Sequence, residues 1–331
     1  MTKRTRRFVA VAAAILAVGL GTGLVASYMG VDLQLTIIGT EGPAELAYVP
    51  PDATLVAFAN VRDVMGSQLR QKLLLFKPDG SPDGTALTPG GDFEEKTGIN
   101  IERDVETVLA SFSGSGTGPD NALVLARGIF DRVRIEGLVR EQGGTVEEYA
   151  RIPLLTVTED DHVFAVAFVE SQLVAVGSAA SVKRAIDTKA SGNSVTMNAE
   201  LMAQIRDIDE GNAWAVGRFD ALAQSGRLPE PVASQLPPID WFAATSHING
   251  GVEGVVRVEA TSEQAAADLR QVVQGFMALA RLQLRQNTEL IAMLNTMQLG
   301  GDGTTVSLGF SIPPEMIDAL AAMQRPDQAA K

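Results

Sequence analysis

Few side chains in this sequence could do chemistry. The histidines are His162 and His247, and there is no cysteine. A zinc site needs three or four His, Cys or acid ligands converging at short spacing, as in HExxH; His162 follows Asp160-Asp161 at a turn and His247 ends a strand, and no such set is present. Without a thiol, disulfides, thiolate metal ligands and cysteine nucleophiles drop out together. Two glycine-rich stretches, Gly114-Ser-Gly-Thr-Gly118 and Gly300-Gly-Asp-Gly303, resemble phosphate cradles. Each leads into strand-like sequence, whereas a phosphate loop must open a helix whose first N–H groups face the anion. Ser115 has glycines at −1 and +1, not at the −2 and +2 positions of a nucleophile elbow. Asp79 and Asp83 sit in an Asp-Gly-Ser-Pro-Asp-Gly repeat that lacks the distal glutamate of a calcium loop, so it reads as a turn. The acid pairs Glu94–Glu95, Glu147–Glu148 and Asp160–Asp161 are adjacent in sequence, which points the two carboxylates apart. Trp214 and Trp241 fall in strand-like runs and read as core or sheet surface. The sequence therefore assigns no catalytic, cofactor-binding or metal-binding residue, and no cofactor.

The elements that would carry these residues alternate between strand and helix. The first half reads strand 54–60, helix 62–75, strands 105–112 and 121–129, helix 132–142 and strand 146–158. A further hairpin and helix, 163–187, follow. The second half reads strand 213–219, helix 221–226, strands 241–248 and 252–260, helix 263–285 and strand 305–312. Asn249-Gly250-Gly251 is the strongest hairpin signal, and Thr261 with Gln264 predicts a capping box. Helix 289–297 and the prolines 313–314, which start a last helix, complete the list. Both halves share the order βαββαβ, which predicts an α+β fold of two tandem ferredoxin-like antiparallel-sheet domains. The expected organisation is a signal anchor at 1–31, a connector at 32–47, α+β domains at 48–192 and 193–324, and a tail at 325–331.

The anchor is the segment that fixes location. Lys3, Arg4, Arg6 and Arg7 precede an uncharged run from Phe8 to Val31. As helix, about 24 residues at ~1.5 Å each reach about 36 Å, enough for a ~30 Å hydrocarbon core. The basic start predicts a cytoplasmic N-terminus and an extracytoplasmic, periplasmic body at a bacterial inner membrane. Cleavage after Val25-Ala26-Ser27 is the competing reading, but the run exceeds a signal-peptide core. The chain carries 27 Lys and Arg and 40 Asp and Glu. Leaving out the four basic residues of the anchor gives 23 against 40, a net of −17. Such a body should repel nucleic acid and anionic head groups, and no basic cluster with interleaved aromatics offsets this.

Leu46-Ala-Tyr-Val-Pro-Pro-Asp-Ala-Thr-Leu-Val-Ala-Phe-Ala-Asn-Val61, Lys96-Thr-Gly-Ile-Asn-Ile-Glu-Arg-Asp-Val105 and Val174-Ala-Val-Gly-Ser178 resemble stretches of uncharacterised bacterial membrane-anchored, exported proteins of domain-of-unknown-function type. The resemblance spans most of 46–320, rests on packing and turn patterns, and implies location and architecture without naming a site residue. The expected function is a tethered binding or assembly protein of the envelope with a protein or small-ligand partner, held in the bilayer by residues 8–31. Two alternatives are a carrier or sensor of an apolar ligand, lined by the region Val272–Met297 with Met277, Met293 and Met297, and a hydrolase built on converging carboxylates.

Overall fold

The structure, a computed structural model, describes residues 42–68, 94, 97–114, 119–141, 143–159, 162–208, 211–220, 236–285 and 288–315. The expected span at 8–31, most of the connector, the Asp79–Asp83 repeat, Glu95, Ser115, the pair Asp160–Asp161, helix 221–226 and the tail lie outside the described residues. Among the described residues, no helix is long and apolar enough to cross a membrane.

The strands are β1 (Ala53–Asn60), β2 (Val105–Ser113), β3 (Ala122–Gly128), β4 (Thr145–Tyr149), β5 (Ile152–Glu159), β6 (His162–Glu170), β7 (Leu173–Ser178), β8 (Ala213–Arg218), β9 (Ile239–Ile248), β10 (Val252–Ala260), β11 (Gln298–Gly300) and β12 (Thr305–Ile312). Around them lie α1 (Val61–Met65), α2 (Ile101–Asp104), α3 (Arg132–Glu141), α4 (Ala179–Ser191), α5 (Ala199–Arg206), α6 (Glu263–Gln283) and α7 (Thr288–Thr296). Among the described residues the strands form one 12-stranded antiparallel sheet in the order β11-β12-β10-β9-β8-β1-β2-β3-β7-β6-β5-β4.

This is an α+β fold, as the sequence implies, but its strand order is not that of two ferredoxin-like sheets. A split βαβ unit places another strand between the two that flank its first helix. Here β1 pairs directly with β2, from Leu55↔Phe112 to Asn60↔Thr107, and the chain continues as a meander. The halves meet where β1 pairs with β8, Val56 opposite Val216, so a single sheet runs through the expected boundary. The segment β3-β2-β1-β8-β9-β10 reads as two outward meanders about that central pair.

Both faces of the central strands are buried, which explains why Ala53–Asn60 and Ala122–Gly128 are apolar runs without clean alternation. On one face Val56, Leu109, Leu125, Leu154, Leu173 and Val216 pack against α4, α5 and the 3-10 turn Ala44–Tyr48. The opposite face joins Val108, Ala110, Val124, Val174 and Val176 to Val61, Ile101 and Val139. A separate cluster beneath α6 contains Ala260, Ala265, Ala266, Leu269 and Val306. Each fully buried Leu or Val contributes roughly 1.5–3 kcal/mol.

Local signals account for most element ends. Asn198 caps α5 by accepting from the Leu201 N–H. Ser178 caps α4, which stops at Gly192, whose φ of 70° suits a residue without Cβ. Two details differ from expectation. Ser262, not Thr261, caps α6 by accepting from the Ala265 N–H, while Gln264 turns to Asp268. The strand expected over 146–158 is a hairpin, β4–β5, turning at Ala150 and Arg151, whose φ values are 50° and 68°. Neither residue carries the Asn-Gly signature of such a turn.

Candidate functional site

Four places combine polar or apolar side chains in a way that could matter for function. The most buried is an ion cluster where the chain enters the body. The turn Ala44–Tyr48 lays Glu45 and Tyr48 over one sheet face, β3 supplies Arg127 and β6 supplies Glu170. Arg127 Nε donates to Glu45 Oε1 at 2.5 Å and Nη1 to Glu170 Oε2 at 3.2 Å. Tyr48 Oη donates to Glu170 Oε1 at 3.1 Å, and Thr107 Oγ1 reaches Glu45 Oε1 at 3.4 Å. Lys189 lies 5.1 Å above the Tyr48 ring. Burial, then the hydrogen bond and charge of Glu170, push the Tyr48 hydroxyl up to about 12. Arg127 is also raised: its two carboxylate partners outweigh the opposing effect of burial. Its acids each face a cation or a donor, so the cluster acts as a clamp that holds the first turn of the body on the sheet. Sequence reasoning missed it because its members are up to 125 residues apart in the chain, from Glu45 to Glu170, and none belongs to a motif.

His162 opens β6 at the surface and its Nδ1 lies 2.8 Å from Asp120 Oδ1. Ser178 and Ser181 each donate a hydroxyl to the main-chain oxygen of the same Asp120. A nucleophilic relay needs the hydroxyl to donate to the imidazole instead. These serines cap α4 and tie its first turn to the β3 end. His247 is exposed near the end of β9, opposite Glu253 on β10.

The third place is a cleft of about 200 Å³ lined by Ile99, Arg103, Asp104, Ile129, Asp131 and Arg134, among others. Its charges are largely spoken for. Arg103 forks onto both oxygens of Asp104, at 2.7 and 3.0 Å. That hydrogen bond is the main reason the Asp104 carboxyl lies below its ordinary value. Asp104 also accepts from the Asn100 N–H, while Asn100 accepts from the Arg103 N–H, closing a reciprocal cap on α2. Asp131 accepts from the Arg134 N–H at the start of α3.

The remaining sequence candidates separate in space. Glu147 and Glu148 lie on the outer strand β4, where Glu147 meets Lys183 at 3.6 Å. Glu94 accepts from Asn100. Trp214 is core, stacked on Phe58 at 5.6 Å, and Trp241 carries Arg218 5.5 Å above its ring. In the loop Gly300–Gly303, Arg270 Nη2 donates to the carbonyls of Gly301, Gly303 and Thr305. A loop that turns its carbonyls to a cation is no phosphate cradle. Among the described residues no group of three or more His, Asp or Glu could hold a metal ion.

The fourth place is apolar. α6 buries Ala265, Ala266 and Leu269, and its apolar stripe continues through Val273 and Phe276 toward the C-terminal end. Toward that end its apolar side chains are open to solvent: Phe276 is 40% exposed, Leu279 49% and Leu282 53%. α7 returns beside it with Leu294 buried, and Met277, Met293 and Met297 are half-buried between solvent and protein.

No protein-family model matches the chain, and no curated protein matches it. Among solved structures it is similar to crystal form III of TP0453, with a TM-score of 0.49 and 7% identity over 84% of this chain and 97% of that one. It is similar also to crystal form I of TP0453, with a TM-score of 0.44 and 10% identity over 86% and 99%. At this level the likeness assigns neither chemistry nor partner.

Proposed function

We propose that the chain is a membrane-tethered binding module on the extracytoplasmic side of a bacterial membrane. Residues 8–31 cross the bilayer, and the body binds through its open apolar end. The observation that carries the binding reading is the α6 surface formed by Phe276, Leu279 and Leu282. Burying a Leu or Phe side chain fully is worth ~1.5–3 kcal/mol, and about half of that remains to be gained at each of these positions. The three together would gain about 2–4 kcal/mol before the cost of association, which makes the contact weak on its own. A tether that holds the surface at millimolar effective concentration makes such a weak contact useful. The clamp at Glu45 and Arg127 supports the same reading, because it fixes where the connector joins the sheet.

The tether is tested by alkaline carbonate extraction of membranes carrying the full chain, with protease added outside spheroplasts. Retention in the pellet with a body open to protease supports it. Release into the supernatant, or a protected body, contradicts it. The half-buried Met277, Met293 and Met297 favour a second reading, carriage of an apolar molecule beside α6. Solvent extraction of the purified chain followed by mass spectrometry tests it, and a stoichiometric small molecule is its expected signature.

A further inference from the structure

The open end of α6 carries a local basic excess that the acidic body as a whole lacks. From Leu269 to Thr288 there are three arginines and no acid, in a protein with net charge −13. Arg270 is committed to the carbonyls of Gly301, Gly303 and Thr305. Arg281 and Arg285 are exposed, in the same short stretch as the half-exposed Leu279 and Leu282. Aromatic and aliphatic side chains beside exposed arginines are the composition of a helix lying in a lipid interface: the apolar groups enter the acyl boundary and the guanidiniums meet phosphates. We propose that the C-terminal end of α6 rests on an anionic lipid surface, the partner that completes the tethered reading and rests on it.

The acidic body does not prevent this contact. The acids that bound the stretch are Glu263 and Asp268, in the first turns of α6, and Glu289, four residues beyond Arg285 at the start of α7, which leaves the exposed Arg281 and Arg285 in excess of the one nearby acid. Arg281 is thirteen residues beyond Asp268, about 20 Å along the axis at ~1.5 Å per residue. The Debye length is ~8 Å at physiological salt, so charge that far away is largely screened while the local arginines act at contact. The connector also permits it. Asp32–Glu41 is about ten residues, a reach of up to ~35 Å when extended. In the sheet order five strand spacings separate β3, where the clamp sits, from β10 beneath α6. At ~4.8 Å each they amount to about 24 Å.

The native chain has no cysteine, so single labels are unambiguous. The full chain carrying Leu282→Cys with an environment-sensitive fluorophore is reconstituted in vesicles of phosphatidylcholine, with and without phosphatidylglycerol, containing acyl-chain nitroxide quencher. Met197→Cys, exposed in a turn on the opposite sheet face, is the control. The proposal predicts blue-shifted, quenched emission at 282 in the anionic vesicles, less in the neutral ones, and neither change at 197. Arg281→Glu with Arg285→Glu should abolish the gain from anionic lipid. A label at 282 that stays unquenched while the chain resists carbonate extraction overturns the proposal and leaves the tether standing. Blue-shifted emission without quenching also overturns it, since protein then covers the site. Quenching at 282 in a chain that carbonate releases overturns the tether alone. Quenching unchanged by the arginine reversals overturns the anionic specificity.

Discussion

Arg127→Met removes the cation of the clamp and keeps most of the aliphatic stem that packs over β3. Glu45 would then retain Thr107 as its remaining partner within the cluster, with its side chain only 6% exposed. Breaking a buried ion pair by deleting one member costs ~3–5 kcal/mol, because the other charge stays buried. Arg127 is itself 24% exposed, which favours the lower end of that range. The expected loss is therefore about 3–4 kcal/mol. At ~2–4 °C per kcal/mol, melting should fall by roughly 6–16 °C. Urea unfolding followed by far-UV circular dichroism measures the same quantity isothermally. Glu45→Gln combined with Arg127→Met should recover about 1–2 kcal/mol of the single-variant loss, since no bare charge is left. A loss under about 1 kcal/mol, with purely additive behaviour in the double variant, would place the cluster among solvated surface pairs and refute the reasoning.

Four further outcomes follow from the same geometry. Tyr48 has a folded pKa of about 12, above its ordinary 10, so its neutral form is favoured in the folded state. Its contribution is complete below pH 10 and is lost as pH rises from 10 to 12. Tyr149 is also raised, by its hydrogen bond to Asp187, so Tyr48→Phe should remove one late-titrating group from the tyrosinate absorbance, along with part of the alkaline loss of stability, and leave the Tyr149 step in place. Asn198→Ala deletes the α5 cap and should cost about 1 kcal/mol in urea unfolding. A Cβ at Gly128 would overlap the main-chain oxygen of Asp104, so Gly128→Ala should cost ~1–3 kcal/mol by calorimetry despite adding one methyl group. Leu282→Ser, by contrast, should leave the urea midpoint of the free protein nearly unchanged, while Leu125→Ala, fully buried, should lower stability by ~2–5 kcal/mol.

Much of the element list was legible because local patterns set it. The Asn249-Gly250-Gly251 turn and the apolar runs of β1 and β3 each carry their instruction within a few residues. Strand order was not legible. Pairing β1 with β8 joins residues about 160 positions apart, and nothing in Thr54–Asn60 names Ala213–Gly217 as its neighbour. The hairpin at Ala150–Arg151 was hidden because tertiary pairing of β5 with β6 holds two ordinary residues at positive φ. The clamp escaped for the same long-range reason. The apolar stripe of α6 was visible from spacing alone, but the sequence could not say that its C-terminal end is left exposed.

The central claim, a body tethered by its own N-terminal segment, is tested most directly by the intact mass of the full chain recovered from its membrane by gentle extraction. Native and denaturing spectra should both be recorded. The account predicts an uncleaved chain of 34.9 kDa in the membrane fraction. A mature chain beginning at Tyr28 and recovered in the soluble fraction would contradict it.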